Sequence, residues 1–332
     1  MSQSAGSSSS ARSILKQQME ATSQRLDHLI QSGAFKDHHF SRKPRHGIQR
    51  YLNMWEKRNE HLQIMTSNVS YLDLKQLKKS RNLPYQNDDN LASYPVIPST
   101  VFDHPHALKD HHGMILAYRF RVPTEHITTL EESQPLLPAR PILPNARGNF
   151  LHRHYAIWAD YSKTILQSSE YRRNHPQSQQ WLQTNQPLFK YLSNTLRMLD
   201  PEMYVKFTSV DRYLPPDFQR MAGAWHGVAI NENMQPNATR AETHIDWQDY
   251  YRAYNAVVPW GTFTGGHVVL WQPKVVYELR PGDCLFFMGG IMAHQISPVT
   301  SGVRNSLDLF THKSSFDWKK REDRANGIVH EY

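Results

Sequence analysis

The chain has 332 residues, of which 39% are hydrophobic, and a formal net charge of +8. This composition can bury a full core in one elaborated domain or in two. No run of 18 apolar residues occurs, so the sequence predicts neither a transmembrane helix nor a membrane partner. The single cysteine, Cys284, excludes an intramolecular disulfide and indicates a reducing compartment, and its apolar neighbours predict inert core packing.

The first quarter of the chain carries all of the net charge. Met1 to Arg81 contains 14 Lys and Arg against 6 Asp and Glu, and the remainder is balanced. Residues 1–12 begin with a serine-rich stretch that lacks the apolar core of a secretory signal, and we expect a disordered tail. We interpret residues 13–146 as a basic, helical and loop-rich N-terminal region, whose charges either contact phosphates or are simply solvated. Arg42 to Arg45 is a weak nuclear-import pattern.

The upstream elements are predicted from periodicity and proline content. Apolar residues at helical spacing predict helices over 11–32, 49–67 and 177–199. Prolines punctuate 82–108 and 122–144, which we interpret as loops or wrapping segments. Several histidine pairs lack the cysteine partners of a zinc site and are expected to be surface or structural residues: His38 and His39, His104 and His106, His111 and His112, His152 and His154.

Short apolar runs separated by turn residues fill the last third of the chain. Gly265–Gly266 and Pro281–Asp283 are turns that short antiparallel strands require. The pattern predicts an α+β fold, mainly β with flanking helices, in which residues 147–332 form a jelly-roll (double-stranded β-helix) core. The predicted strands cover residues 225–231, 254–258, 267–271, 275–279, 284–288 and 306–310.

Two histidines and an aspartate suggest a metal site within this core. His244 and Asp246 stand two residues apart, so on a strand their side chains share one face. An H-x-D tripeptide is expected roughly once by chance in such a chain. The strands around it, and His294 after a Gly-Gly turn, raise its significance, because a jelly roll returns such residues to one mouth. The set predicts a facial triad for non-haem Fe(II) that leaves positions open for a co-substrate and O₂.

An arginine follows the last metal residue at a position where a carboxylate partner is expected. Arg304 and Ser306 alternate with apolar residues and therefore project to the same side of a strand. A guanidinium binds a carboxylate in bidentate fashion, as the distal end of 2-oxoglutarate would require. We assign Asn231, on the strand before the triad, to the same co-substrate site. The alternative is that Arg304 is a solvated surface charge or half of an ion pair.

The segment from Tyr204 to Arg324, about 120 residues, resembles the TET/JBP-type dioxygenases that oxidise methylated bases in DNA. It is most similar to the fungal, basidiomycete branch. Residues 147–161 also resemble that branch, but far less specifically. The likeness lies in the runs Thr243–Trp247, Val257–Gly261, Gly265–Gly266, Pro281–Gly289 and Gly302–Ser306.

The resemblance implies functions for individual residues. His244, Asp246 and His294 match the metal triad, and Arg304 and Ser306 match the 2-oxoglutarate clamp. It also implies three residues of the substrate site: an aromatic that stacks on the flipped base, a histidine that hydrogen-bonds to it, and a residue near the base that is asparagine in animal relatives. They correspond to Phe310, His312 and Asp249.

The aspartate leaves the identity of the base open. The carboxylate of Asp249 can accept a hydrogen bond from the exocyclic amino group of cytosine or of adenine. The substrate is then 5-methylcytosine, N6-methyladenine or both, and the expected partner is double-stranded DNA in the nucleus. The structural alternatives are that Phe310 is a core residue and that Asp249 is a solvated charge.

Two other functions are compatible with the same residues. An oxygenase of this fold could act on RNA, a small molecule or a protein side chain, and a basic surface around the iron site would argue against a small molecule. A catalytically silent DNA-binding relative of mobile-element origin is the other, but the intact triad and clamp residues oppose it.

Overall fold

The computed structural model describes residues 7–40, 43–80, 88–99, 104–139, 150–159, 164–236 and 243–328. Its helices are α1 (Ser7–Gln31), α2 (Pro44–Arg58), α3 (Tyr71–Ser80), α4 (Thr124–Ser133), α5 (Ser169–Arg173), α6 (His175–Thr184), α7 (Gln186–Leu199), α8 (Pro201–Thr208) and α9 (Lys313–Ala325). Short 3₁₀ turns cover Asp88–Ser93, Gln134–Leu136 and Ser209–Tyr213.

The strands form two sheets. They are β1 (Gln63–Thr66), β2 (Val96–Ile97), β3 (His106–Lys109), β4 (Ile115–Arg121), β5 (Leu151–Ala159), β6 (Ile165–Gln167), β7 (Gly227–Met234), β8 (Asn255–Gly265), β9 (Val268–Leu270), β10 (Val275–Tyr277), β11 (Asp283–Phe287), β12 (His294–Ile296) and β13 (Val299–Phe310). A nine-stranded major sheet has the order β1-β3-β4-β11-β8-β13-β7-β5-β6, and a four-stranded minor sheet has the order β12-β9-β10-β2. The predicted α+β jelly-roll fold is confirmed, and all six predicted strand runs contain a strand.

Strand β9 of the minor sheet is buried on both faces. Val268 and Leu270 of β9 join the main core, whereas Val269 packs with Trp271 and Tyr94 in a smaller cluster. Successive side chains of a strand point to opposite faces, so a strand covered on both sides must be apolar throughout. The uninterrupted apolar run at this place in the sequence is therefore explained by the segment around Tyr94, which covers the outer face.

The N-terminal region is part of the same fold and not an appended arm. Strands β1, β3 and β4 continue the major sheet, and β4 pairs with β11 of the jelly roll. Side chains from α1, α2 and α3 enter the main core, among them Leu29, Leu52 and Leu74, none more than 1% exposed. Sequence periodicity did not predict β1 and β3, which are only 4 residues long, nor the 7-residue β4. The expected boundary between residues 146 and 147 lies outside the described residues.

Several helix limits differ from the predicted ones. Helix α1 begins at Ser7, so its backbone includes part of the expected tail, and residues 1–6 lie outside the described part. The helix predicted over 49–67 ends at Arg58, and β1 occupies its last residues. The helix predicted over 177–199 is two helices, α6 and α7, because Pro187 cannot donate the backbone hydrogen bond that a continuous helix needs.

The proline-punctuated stretch 122–144 contains a helix rather than only loops. Helix α4 follows Pro123 directly, and Ile127 and Leu130 are buried on its inner side. No helix in the described part of the chain is long and apolar enough to span a bilayer.

Candidate active site

The three predicted metal residues meet beside the minor sheet. Ligand atoms of His244, Asp246 and His294 all lie within 4.8 Å of one another. Nε2 of His244 is 3.7 Å from Oδ1 of Asp246, and Nε2 of His294 is 3.5 Å from its Oδ2. The backbones of the two histidines exchange N–H···O bonds of 3.0 and 2.9 Å, which fixes their separation. Two imidazoles and one carboxylate in this arrangement can hold one Fe(II) ion.

The sequence analysis expected His244 and Asp246 on one strand, but the structure does not place them on a regular strand. His244 makes a single β-bridge, and Asp246 lies in irregular backbone. The Asp246 N–H donates to the carbonyl of Gly289 at 3.1 Å, and its carbonyl accepts from Asp249 N–H at 2.9 Å. The chain therefore turns directly after the carboxylate ligand instead of continuing along a sheet.

Neighbouring groups orient the metal residues. Nδ1 of His294 lies 2.9 Å from the carbonyl oxygen of Met292, which leaves Nε2 directed toward the other ligands. The amide of Asn255 donates to Oδ2 of Asp246 at 3.1 Å. A β-carbon at Gly289 would lie 2.8 Å from that same oxygen, so the carboxylate needs the space that glycine leaves. Loss of such an outer group usually weakens metal affinity ~10–100-fold.

Arg304 is fully buried in a small cavity beside the two histidine ligands. This inner cavity, of ≈ 50 Å³, includes His244, His294 and Ser306 in its lining. The Arg304 side chain has no exposed surface, and its Nε and Nη2 have no hydrogen-bond partner among the described residues. Its Nη1 donates to the sulfur of Met234 at 3.6 Å, and its Cζ lies 5.7 Å from the centroid of the Phe263 ring. Burial lowers the pKa of Arg304 to about 10, so it stays cationic at neutral pH.

A buried cation without a carboxylate is costly unless an anion binds beside it. The donor set of the inner cavity therefore fits 2-oxoglutarate, which carries two carboxylates. The guanidinium of Arg304 and the hydroxyl of Ser306 would hold one of them, as predicted, and the keto-acid end would reach the metal residues. The alternative of a solvated Arg304 is wrong, because the side chain is inaccessible.

Three neighbouring strands present their side chains in rows on the face that carries the arginine. Ser306 of β13 is opposite Asn231 of β7, which is opposite His152 of β5. The Asn231 amide nitrogen lies 3.4 Å from the Ser306 hydroxyl, and its oxygen lies 2.8 Å from Nδ1 of His152. Asn231 thus lines the inner cavity, and its contact with the co-substrate stays a prediction.

A larger outer cavity, of ≈ 550 Å³, lies on the other side of the metal residues. Asp246 lines this cavity, whereas His244 and His294 line the inner one. Asp308 lines both, so the two cavities meet at the triad. The outer cavity also contains all three predicted substrate residues, and its lining consists of His152, His154, Ala229, Ile245, Asp246, Trp247, Gln248, Asp249, Asn255, Asp308, Phe310 and His312.

Aromatic rings form one wall of the outer cavity. The Phe310 ring is stacked on the His154 imidazole, with centroids 4.7 Å apart and planes 9° from parallel. His312 continues the wall, and its ring centroid lies 5.6 Å from that of Trp158. Phe310 is only 5% exposed and packs against Ala156, so it is both a core residue and part of the wall. This wall offers flat surfaces to a planar ligand.

Polar groups at the floor of the outer cavity are buried and hydrogen-bonded. Asp249 is 4% exposed, and its Oδ2 accepts from the Asn255 amide at 2.9 Å, so the solvated-charge alternative is wrong. Burial, followed by the charge of Asp246, raises the pKa of Asp249 well above its usual range. Burial lowers the pKa of His312 to about 4, so its imidazole is neutral at pH 7. A carboxyl group and a neutral imidazole can each form directed hydrogen bonds with a polar ligand.

Sequence reasoning missed several residues of this site. It interpreted His152 and His154 as surface or structural, but both lie in the cavity wall. With Trp158 they alternate with buried residues along β5, and that period of two was the signal that could have revealed them. Asn255, which bridges the two aspartates, carried no local signal, because its function depends on strands distant in sequence.

The other predicted cysteine and histidine properties agree with the structure. Cys284 is fully buried, and burial raises the pKa of its thiol well above the usual value, which keeps it unreactive. His106 is buried, with Nδ1 3.0 Å from the Tyr277 hydroxyl, and His38 lies 3.1 Å from the Tyr51 hydroxyl. Within the described residues, the metal triad is the single group of three metal-binding side chains.

The fold and the site together define the architecture of the Fe(II)- and 2-oxoglutarate-dependent oxygenases. No family model matches the chain, and no curated protein matches it. The solved structure of NgTET1 in complex with 5mC DNA is similar, with a TM-score of 0.55 and 16% identity, over 85% of this chain and 98% of that chain. This likeness shows a shared fold and agrees with the TET/JBP-type resemblance.

Two further structures align with lower scores. An oxidoreductase of the 2OG-Fe(II) oxygenase family from Burkholderia pseudomallei has a TM-score of 0.36 and 14% identity, over 75% of this chain and 93% of that chain. A Pseudomonas putida prolyl-4-hydroxylase has a TM-score of 0.35 and 13% identity, over 68% of this chain and 96% of that chain.

Proposed function

We propose that the protein is an Fe(II)- and 2-oxoglutarate-dependent dioxygenase that oxidises the methyl group of a methylated base in double-stranded DNA. The observation that carries this proposal is the pair of cavities that meet at the metal triad. The inner one holds the buried cation of Arg304, which no carboxylate of the described residues pairs, and the outer one has an aromatic wall and polar floor. The first fits the co-substrate, and the second fits a planar, polar ring.

The residues of the site divide the work. His244, Asp246 and His294 would hold the iron, and Arg304 with Ser306 would orient 2-oxoglutarate. Bound iron would let O₂ act as the oxidant, with 2-oxoglutarate giving up two electrons as it is converted to succinate and CO₂, and one oxygen atom would convert the methyl group to a hydroxymethyl group. The protein contributes the position of that methyl group and a cavity with little water.

A base must leave the duplex to reach the recessed triad. Extrusion costs a few kcal/mol of unstacking, which stacking and hydrogen bonds in the pocket offset. The aromatic wall around Phe310 and His154 supplies the stacking surface, and His312 and Asp249 supply the hydrogen bonds. NgTET1, which shares the fold, was solved with 5mC DNA. A DNA substrate would place this protein in the nucleus.

The base is 5-methylcytosine, N6-methyladenine or both. Asp249 can accept from the exocyclic amino group that both bases carry. On 5-methylcytosine the products would be hydroxymethylcytosine and its further oxidation products. On N6-methyladenine the hydroxylated methyl group would leave as formaldehyde, and the base would be demethylated.

The test combines purified protein, Fe(II), ascorbate and 2-oxoglutarate with two duplexes, one for each methylated base, and detects nucleosides by mass spectrometry. We expect oxidised methylcytosine or loss of methyladenine in the wild type. The control is the His294→Ala variant, which should remain folded but lose turnover. Succinate formed without any nucleoside product would refute the DNA substrate and favour RNA, a small molecule or a protein. Absence of both succinate and product would favour a silent DNA-binding relative.

A further inference from the structure

One large aromatic side chain stands exposed at the rim of the outer cavity. Trp247 is 43% exposed, whereas five of the eight tryptophans are no more than 6% exposed. It directly follows the metal residue Asp246 and lines the cavity. An exposed tryptophan lacks the favourable free energy that burial of its ring would give. Tryptophan is also among the residues enriched where partners bind. The position of Trp247 therefore indicates a contact with a ligand larger than the cavity.

The backbone fixes this ring at the rim. The preceding Ile245 is 3% exposed and packs with Trp271 beneath the surface. The Trp247 N–H donates to the carbonyl of Ile245 at 2.9 Å, and the Asp249 N–H donates to that of Asp246 at 2.9 Å. Ile245 therefore points inward and Trp247 outward in a hydrogen-bonded turn.

One ammonium group lies over the exposed ring. Nζ of Lys78, on α3, lies 5.8 Å from the centroid of Trp247. Nζ of Lys75, on the same helix, lies 5.1 Å from the centroid of Tyr251. Helix α3 is anchored, because the Tyr71 N–H donates to Oδ2 of Asp110 at 3.0 Å. A flat aromatic surface with an ammonium group beside it is complementary to a stacked base beside a phosphate.

We propose that Trp247 and Lys78 form the duplex-contacting edge of the site, where Trp247 stacks in the gap that the extruded base leaves and Lys78 binds an adjacent phosphate. This inference rests on the proposed function. Extrusion leaves the faces of the neighbouring base pairs uncovered, and an aromatic ring beside the cavity entrance can cover one of them. An acidic peptide would also match the charges, but it would not require a planar ring at the entrance of a base-sized cavity.

The first experiment compares kcat/KM for a methylated duplex and for the same methylated strand alone. On the duplex, kcat/KM of Trp247→Ala should be ~10-fold or more below that of the wild type, because the gap is no longer filled. The single strand has no gap, so its loss of kcat/KM should be much smaller than the loss on the duplex, and Trp247→Phe should restore most of the duplex activity. The matched control is Leu72→Ala, which truncates another exposed apolar residue, 62% exposed, away from the outer cavity.

The second experiment needs no turnover. With 2-aminopurine in place of the target base and metal-free protein, the wild type should raise the fluorescence as the base leaves the stack. Trp247→Ala should give a smaller rise at saturation. Lys78→Ala should reduce the slope of log affinity against log salt by about 0.9, as expected for one lost phosphate contact. Lys57→Ala, an exposed lysine on α2, should leave that slope unchanged.

The outcomes separate this inference from the function on which it rests. A wild type that oxidises methylated DNA, with a Trp247→Ala variant of unchanged duplex preference, would overturn the inference alone. An equal loss on duplex and single strand would also overturn it, because Trp247 would then shape the base pocket. A wild type that oxidises neither base in either strand form would refute the proposed function, and this inference would fall with it. If the protein bound an acidic peptide through Trp247 and Lys78 but did not bind the duplex, the inference would be wrong and the edge would contact a protein partner.

Discussion

At the scale of single residues, Arg304 shows how a site can work against the stability of its own fold. Its guanidinium is fully buried, and two of its nitrogens have no hydrogen-bond partner within the described chain. Removing such a charge from water costs several kcal/mol when no partner compensates. The bound co-substrate would supply the compensation, so stability and co-substrate binding should be coupled at this position.

Replacement of Arg304 by methionine tests that coupling. Arg304→Met should raise the melting temperature of the co-substrate-free protein, because an apolar side chain of similar length replaces an uncompensated charge. It should also abolish the rise in melting temperature that 2-oxoglutarate gives the wild type. Thermal unfolding with and without 2-oxoglutarate measures both effects. A variant still stabilised by 2-oxoglutarate would show that the clamp lies elsewhere.

Asn255 tests how the carboxylate ligand is positioned. Its amide nitrogen lies 3.1 Å from Oδ2 of Asp246 and 2.9 Å from Oδ2 of Asp249. Asn255→Ala should weaken metal affinity ~10–100-fold, the usual cost of losing an orienting partner, while the fold persists. Anaerobic Fe(II) titration measures the change, with the exposed Asn326→Ala as control. Unaltered affinity in Asn255→Ala would mean that Gly289 and the backbone suffice to hold Asp246.

At the scale of elements, the turn between β8 and β9 supports the arginine from outside. Gly266 has a φ of +66°, and a β-carbon there would lie 2.6 Å from Cδ of Arg304. Gly266→Ala should therefore displace the guanidinium and weaken 2-oxoglutarate binding by ~10-fold or more without changing metal affinity. Isothermal titration of each ligand separates the two effects.

A control glycine separates the effect of backbone strain from the effect of the contact with Arg304. Gly113 also has a positive φ, +85°, but a β-carbon there would meet nothing within 4 Å. Gly113→Ala should cost about 1 kcal/mol of stability, as a left-handed alanine does, and leave 2-oxoglutarate binding intact. If both variants bind 2-oxoglutarate equally well, the turn does not position Arg304.

At the scale of the whole molecule, a buried histidine makes folding sensitive to acid. His226 has no exposed surface, its Nε2 lies 3.1 Å from the carbonyl of Phe207, and burial lowers its pKa to about 3. In the unfolded chain the same imidazole takes up a proton near its ordinary pKa of 6.5. The unfolded state therefore binds more protons between pH 6.5 and 3, and the stability supplied by the neutral imidazole, complete above pH 6.5, falls as the pH falls.

Replacement of this histidine should flatten the acid limb of the stability curve. For His226→Gln we expect the free energy of unfolding to lose about 1.4 kcal/mol less per pH unit between pH 6 and 4 than for the wild type. Urea unfolding of metal-free protein over that range measures the slope, and the exposed His111→Gln is the control. Equal slopes in wild type and His226→Gln would show that another group governs acid unfolding.

The basic N-terminal region is also structurally part of the whole molecule. Its strands β1, β3 and β4 continue the major sheet, and side chains of its helices lie in the main core. Removing residues 1–81 would therefore expose the core instead of merely removing phosphate contacts. Single substitutions such as Lys78→Ala are the suitable probe of its charges, because Lys78 is at the rim of the outer cavity and not in the core.

The chemistry of the triad and clamp was readable in the sequence, because these residue types are rare in combination. His244, Asp246, His294 and Arg304 were all predicted, and the structure gathers them around one point. The six strands of the jelly roll were also predictable, since apolar runs between glycine and proline turns have a local physical cause.

The tertiary structure alone decided what depends on distant segments meeting. The rows that join β13, β7 and β5 bring His154 onto Phe310, although nothing near either residue encodes that contact. Burial also depends on the whole fold, and it turned Arg304 from a charge of uncertain surroundings into an uncompensated one. Residue identity is local information, whereas register and burial arise from long-range pairing, so individual residues of the site could be recognised in advance but their mutual contacts and their burial could not.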